Sequence, residues 1–175
     1  MMKSRFWVIL LMIVFAAGSR LVSHPPNFTP LTAMALFAGA YLLDNRFAFL
    51  VPMAAMFLSD LILGFHAHMV FVYGSFVIMI WMGTYLRTKR SVLRVGAIAI
   101  SGSILFFIIT NFGVGAVGSL YPKTIDGFIQ CYLAAIPFFR NMLGGDLVFS
   151  TVLFGAFEML QQRVPALRPS SIAAG

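Results

Sequence analysis

Four ionisable side chains interrupt the long apolar runs of this sequence: Arg20, Asp60, Arg140 and Asp146. If these runs are membrane helices, each ionised group costs roughly 2.5–3.5 kcal/mol in hydrocarbon, so each needs a partner or a function. In a structural interpretation, Arg20 pairs with Asp60 and Arg140 pairs with Asp146, and the two ion pairs hold helices together. In a functional interpretation, the four side chains line a polar cavity.

Amide and aromatic side chains are predicted to lie at the same depth as these charges. Amides can hydrogen-bond the edge of a flat ring, while aromatic groups, such as those of Phe138 and Phe139, stack on its face. We therefore predict a substrate-binding site near the outer side of the bilayer, formed by Asn27, Asp60, Asn111, Tyr121, Arg140, Asn141 and Asp146. Residues 24–30, with three prolines, predict a stiff connector that either caps a ligand or only joins two helices.

Metal and cofactor chemistry is weakly encoded. His66 and His68 are separated by one residue, so their side chains point apart unless the backbone is extended, and few carboxylates lie near them. Cys131 is the single cysteine, which excludes an intrachain disulfide and an all-cysteine metal site. These three residues are weak metal candidates, and we predict neither a metal nor a cofactor. Walker A, HExxH, GxSxG and Rossmann motifs are absent from the sequence, so we do not expect an enzyme.

The composition indicates a protein that lies in lipid. Of the 175 residues, 61% are hydrophobic and 10% are charged, a balance that does not suit a water-soluble domain of this size. A crossing needs about 20 apolar residues, so the chain can hold about six spans. The apolar runs are 5–22, 31–43, 47–65, 69–86, 95–117 and 129–160. The last is too long for one crossing, and Pro137 predicts that it splits into an interfacial segment, 125–139, and a span, 141–160.

The basic residues predict the orientation. The net charge of +7 is spread over short segments between apolar runs rather than over one soluble face. With the N-terminus in the cytoplasm, six spans put the basic clusters on the cytoplasmic side, because short cytoplasmic loops retain positive charge. We therefore predict an all-α transmembrane bundle with both termini cytoplasmic. Residues 1–165 form a single domain whose first segment is a retained helix rather than a cleaved signal, and residues 166–175 form a short disordered tail.

Small residues recur at helical spacing, as at Ala35 and Gly39. Such residues allow helix backbones to approach closely. They serve either packing within the chain or docking to another membrane subunit.

Several segments resemble one transporter family. Residues 140–147 (RNMLGGDL) open the last helix with a Gly-Asp pair, and residues 27–30 (NFTP), 38–40 (AGA) and 59–64 (SDLILG) lie in a Gly- and Ala-rich second and third helix. This pattern resembles the substrate-binding S components of energy-coupling factor (ECF) vitamin transporters. Residues 111–113 (NFG), with Tyr121 and Pro122, are similar to a group of small bacterial membrane proteins described as putative transport proteins.

The resemblance implies a function. It implies uptake of a vitamin or similar micronutrient at the bacterial cytoplasmic (inner) membrane, with the ligand held by outer loops and helix ends. It also implies partners, namely a transmembrane T subunit and ATPase subunits. The alternative is a non-transporting membrane scaffold or assembly subunit whose buried ion pairs are structural.

Overall fold

The computed structural model describes residues 2–65 and 67–168. Within these residues the chain is all-helical, as predicted, and contains no strand. The elements are α1 (Met2–Ser19), α2 (Leu31–Tyr41), α3 (Asn45–Leu63), α4 (Met69–Thr84), α5 (Val92–Val117), α6 (Ile125–Arg163) and a 3-10 turn (Pro165–Leu167).

Three helices are long and apolar enough to cross a membrane, namely α3, α5 and α6. The other three described helices are apolar but shorter. Large apolar side chains such as Phe15, Ile62 and Val70 are exposed on the outside of the bundle, as expected for a surface that faces lipid rather than water. The bundle therefore has the character of a membrane protein. The count of six spans and the cytoplasmic side remain predictions.

Helix α2 is the centre of the bundle. All of its 11 residues are buried, which explains how a helix too short for a simple crossing can be so apolar. Its closest packing is with α4, where a Cβ atom on Gly39 would lie 2.1 Å from the carbonyl oxygen of Ile80, and one on Gly83 would lie 2.4 Å from that of Leu36. Gly39 therefore serves packing within the chain, which is the first of its two predicted uses.

The prediction that the sixth apolar run splits is wrong. Helix α6 is continuous over 39 residues and contains Pro137. Proline removes the hydrogen bond to the carbonyl of Leu133, but membrane helices tolerate this loss where neighbouring groups compensate. At 1.5 Å per residue, α6 is about 58 Å long. A bilayer with its headgroups is roughly 40–45 Å thick, so a helix of this length fits within it only if the helix is tilted.

The first half of α6 packs along α5 as an antiparallel pair rather than lying apart as an interfacial segment. The hydroxyl of Tyr132 donates to the carbonyl of Ile108 at 2.6 Å. The thiol of Cys131 lies 3.6 Å from the carbonyl of Asn111. A Cβ atom on Gly115 would meet the ring of Phe128 at 2.7 Å, so the glycine allows the two helices to approach.

One end of the bundle, which we call the basic end, joins the N-terminus of α1, the last turn of α2, the α4–α5 loop and the C-terminus of α6. The guanidinium of Arg5 donates to the carbonyl of Leu167 at 3.1 Å. Tyr41 donates to Glu158 at 2.5 Å, and Arg90 pairs with the same carboxylate at 3.6 Å. The two described ends of the chain therefore lie at one end of the bundle.

Arg87 stabilises the C-terminal end of α2 at the basic end. Its guanidinium donates to the carbonyls of Gly39 and Leu42, at 2.9 and 2.8 Å. These carbonyls end α2 and lack helical partners, so Arg87 caps the helix and complements its dipole.

The described chain continues a few residues into the predicted tail. Leu167 is 3% exposed and packs in the 3-10 turn. The rest of that tail, residues 169–175, lies outside the described residues.

Candidate functional site

A cavity of about 280 Å³ lies at the end of the bundle opposite the basic end. It is formed where α1 and α5 end and where α2 and α4 begin, with the middle of α6 closing one side. Its polar lining comes from Arg20, Asn27, Thr29, His68, Thr110 and Asn111. Its aromatic lining comes from Phe106, Phe107, Phe138 and Phe139. The cavity thus combines aromatic faces with hydrogen-bonding groups, as small-molecule sites do.

The predicted pair of Arg20 and Asp60 is present. Their side chains approach to 2.8 Å and are 11% and 6% exposed. The second carboxylate oxygen of Asp60 accepts from the hydroxyl of Tyr73 at 2.9 Å, and Arg20 also donates to Ser59. Arg20 lines the cavity whereas Asp60 lies behind it. Asp60 therefore acts on the site through the guanidinium that it neutralises and holds in place.

The proline-rich loop, residues 24–30, covers one side of the cavity. Asn27 adopts a left-handed backbone, with φ of 63°, and lines the cavity. The amide of Asn141 donates to the carbonyl of Pro26 at 3.0 Å, so this predicted site residue anchors the loop to α6. The carbonyl of Pro25 accepts from the amide of Phe28 at 3.0 Å. The loop is therefore folded, with a hydrogen bond within it and one to α6.

Gly144 and Gly145, in the second half of α6, lie under this loop. A Cβ atom on Gly145 would lie 3.2 Å from the Cα of Phe28 and from the amide nitrogen of Thr29. The ring of Phe28 packs on Phe149 with centroids 5.8 Å apart. Gly145 thus lets the loop backbone lie directly on α6.

A second cavity, of about 180 Å³, adjoins the first and shares Asn111, Ala135 and Phe138 with it. The amide nitrogen of Asn111 donates to the carbonyl of Phe107 at 2.8 Å, one turn earlier on α5. Tyr121 lines only this smaller cavity. Asn111 is therefore the predicted residue placed most centrally, at the wall between the two spaces.

The predicted pair of Arg140 and Asp146 does not form, which corrects the second ion pair. The two residues are six positions apart on a continuous helix, so their side chains are about 120° apart around its axis. Arg140 is exposed, whereas Asp146 is 1% exposed. Asp146 is instead hydrogen-bonded to Ser103, whose hydroxyl oxygen lies 2.7 Å from Oδ2. Neither residue lines the two cavities.

The weak metal candidates are spread over the site. His68 lines the larger cavity and Cys131 lines the smaller one. His66 lies outside the described residues. Across residues 2–65 and 67–168, no three histidine, cysteine or acidic residues form a group that could hold a metal ion.

One comparison with known proteins identifies the family. A family model described as DUF6580, a family of unknown function, matches residues 1–167. The chain belongs to this family. No curated protein and no solved structure matches it. The DUF6580 match spans all six described helices, so both cavities lie within the region that defines the family.

The arrangement suits reversible, non-covalent binding. The phenylalanines can stack on a ring, and Asn27, Thr110 and Asn111 can hydrogen-bond its edge. Sequence reasoning missed Phe106, Phe107 and Thr110, which face the cavity from α5. It also missed Tyr73, which supports Asp60 from α4. The helices α4 and α5 are apolar on all sides, so the pattern along them does not show which side faces inward.

Proposed function

We propose that this protein is a membrane-embedded binding subunit for uptake of a vitamin or similar micronutrient. The observation that supports this is the cavity of about 280 Å³ with aromatic and polar walls, set at one end of a bundle with membrane-length helices. We place the ligand in this cavity, with the proline-rich loop as its cover.

The cavity restricts the ligand to a small molecule. Typical small-molecule sites measure roughly 300–1,000 Å³, so this cavity is slightly smaller than that range. A single ring with short substituents fits better than a large macrocycle. Arg20 lines the cavity and is neutralised by Asp60. We therefore expect a ligand with a carbonyl or carboxylate acceptor that can hydrogen-bond the guanidinium of Arg20.

Uptake requires that the cavity face the outside of the cell. The basic end carries Arg5, Arg87 and Arg90, and positive residues favour the cytoplasmic side. The opposite end, with the cavity and the loop, then faces outward. The bacterial inner membrane, the T subunit and the ATPase subunits are part of the proposal through the resemblance to ECF S components.

The scaffold alternative draws support from the polar contacts that tie helices together. Arg20 and Asp60 join the end of α1 to α3, and Tyr41 and Glu158 join α2 to α6. These contacts would serve an assembly subunit as well as a transporter. Only ligand binding separates the two functions.

Filling the cavity is expected to abolish binding without unfolding the protein. Ala135 lines both cavities, so Ala135→Phe places a ring in the space that the ligand needs. Ala156→Phe is the matched control, because Ala156 lies on the exposed side of the same helix. The measurement is the affinity of the purified chain for radiolabelled vitamins and their single-ring precursors. Mass spectrometry identifies any small molecules that copurify. We expect at least a tenfold loss for Ala135→Phe and no loss for Ala156→Phe.

A subtler variant tests the polar contacts. Asn111→Leu keeps the volume but removes the amide, and one lost hydrogen bond of about 1–1.5 kcal/mol weakens binding roughly tenfold. Equal binding by Ala135→Phe and the wild type would place the ligand elsewhere. If no compound binds or copurifies, the scaffold alternative is favoured.

A further inference from the structure

A buried carboxyl group lies directly below the floor of the larger cavity. Asp146 is 1% exposed, and three hydroxyl residues that are equally buried lie around it or next along α6: Thr32, Ser103 and Ser150. Met142, one turn earlier on α6, lines the cavity. The group therefore lies one helical turn deeper than the space in which we place the ligand.

Among the residues that the structure describes, none carries a positive charge that pairs with Asp146. The ion pairs among the described residues join Arg20 to Asp60 and Arg90 to Glu158. Helices α2 and α4 carry no charged residue, and α5 carries only Arg94, at its opposite end. The phenols of Tyr41 and Tyr73, on α2 and α4, are bonded to Glu158 and Asp60. On α6 itself, Arg140 is exposed and Glu158 is three turns away.

The hydrogen bonds around Asp146 are satisfied best with one proton more than an ionised carboxylate provides. Ser103 has a single hydroxyl proton, yet its oxygen lies 3.0 Å from the carbonyl of Ala99 and 2.7 Å from Oδ2 of Asp146. That proton can be shared between the two acceptors, but both bonds reach full strength together when Ser103 donates to Ala99 while Asp146 donates to Ser103. Such a donation needs a protonated Oδ2.

The other carboxyl oxygen leads to the same conclusion. The hydroxyl and backbone amide of Thr32, at the start of α2, are further donors beside the carboxyl group, but Oδ1 of Asp146 and the hydroxyl of Ser150 are buried without a well-formed hydrogen bond. An unpaired charge in such a place costs several kcal/mol, whereas a neutral acid leaves only an unsatisfied carbonyl oxygen.

We propose that Asp146 is a proton-binding site in the core of the bundle. The carboxyl group is held as the neutral acid, with its proton on Oδ2 and directed at the hydroxyl of Ser103. Deprotonation transfers this proton to water, which must first reach the group past Met142 and the rest of the cavity floor. The site does not depend on the identity of any ligand.

Infrared spectroscopy of the full chain in lipid nanodiscs tests the proposal. The chain has five acidic side chains, so the carbonyl stretch of one protonated carboxyl group can be assigned. At neutral pH we expect this band in the wild type and its loss in Asp146→Asn, which replaces the acid by a neutral group of the same shape. Asp126→Asn is the control, because Asp126 is exposed, and it should keep the band. Ser103→Ala should keep the band but shift it to higher frequency.

Stability against pH gives a second measurement. At neutral pH the folded chain holds a proton on Asp146 that the unfolded chain has already lost. Unfolding therefore releases this proton, and stability falls as pH rises. We expect thermal stability of the wild type to fall with rising pH, and Asp146→Asn to lose that dependence. A wild-type spectrum without the band, or a band that persists in Asp146→Asn, would overturn the proposal. If Asp146→Asn does not fold, the band of the wild type and its shift in Ser103→Ala still decide the question.

Discussion

Replacing Asp60 by asparagine is expected to lower the free energy of unfolding by about 3–5 kcal/mol. Asp60 and Arg20 are almost fully buried and lie 2.8 Å apart. Removing one partner leaves the other charge uncompensated in a poorly solvated place, which costs far more than the ion pair itself contributes. Tyr73, which donates to Asp60, also loses the charged acceptor. Reversible unfolding of the purified protein in mixed micelles measures the change.

The double variant Arg20→Gln, Asp60→Asn separates the pair from its members. With both charges removed no lone ion remains, so we expect the double variant to recover most of the stability that Asp60→Asn loses. Asp126→Asn, on the exposed first turn of α6, is the control and should change stability by less than about 0.5 kcal/mol. A double variant no more stable than Asp60→Asn would show that the two side chains do not act as a pair.

Adding a methyl group to Gly39 or Gly83 is expected to destabilise the bundle by about 3 kcal/mol or more. The new Cβ atoms would lie 2.1 and 2.4 Å from backbone carbonyl oxygens on the facing helix. Backbone atoms cannot rotate away as side chains can, so α2 and α4 must separate. Because α2 is enclosed on all sides, that separation also disturbs its other neighbours.

Gly74→Ala is the matched control for this pair, since a Cβ atom there meets nothing within 4 Å. Like Gly83→Ala, it replaces a glycine of α4 by alanine. It is expected to be neutral or to stabilise by up to about 1 kcal/mol. The midpoint of thermal unfolding ranks the three variants. If Gly83→Ala and Gly74→Ala are equally stable, the close contact of α2 with α4 is not present in the folded protein.

Helix positions were largely predictable from the sequence, because prolines and charges bound the apolar runs. The run 69–86 corresponds to α4, Met69–Thr84, and the run 31–43 to α2, Leu31–Tyr41. Helix α6 was not predictable in this way. Proline and glycine mark breaks in soluble chains, but Gly145 exists for contact with Phe28, more than a hundred residues away. Such a contact leaves no local pattern.

The site was predictable in part. Arg20 and Asn111 were found because polar residues are rare and costly in apolar runs, and Asn27 because its loop was expected at the same depth. All three line the cavity. Arg140 was assigned to Asp146 on closeness in sequence, but rotation around a continuous helix separates them, and Ser103 on α5 is the true partner. Identifying Ser103 requires the rotation of two helices that are apolar on all sides.

The most direct test of the account asks which side of the membrane the cavity faces. In a Cys131→Ala background, Asn27→Cys marks the loop over the cavity and Lys89→Cys marks the basic end, and both positions are exposed. A membrane-impermeant maleimide is added to intact cells and then to permeabilised cells. We expect Asn27→Cys to react in intact cells and Lys89→Cys to react only after permeabilisation. Reaction of Asn27→Cys only after permeabilisation would put the cavity on the cytoplasmic side and contradict a role in uptake.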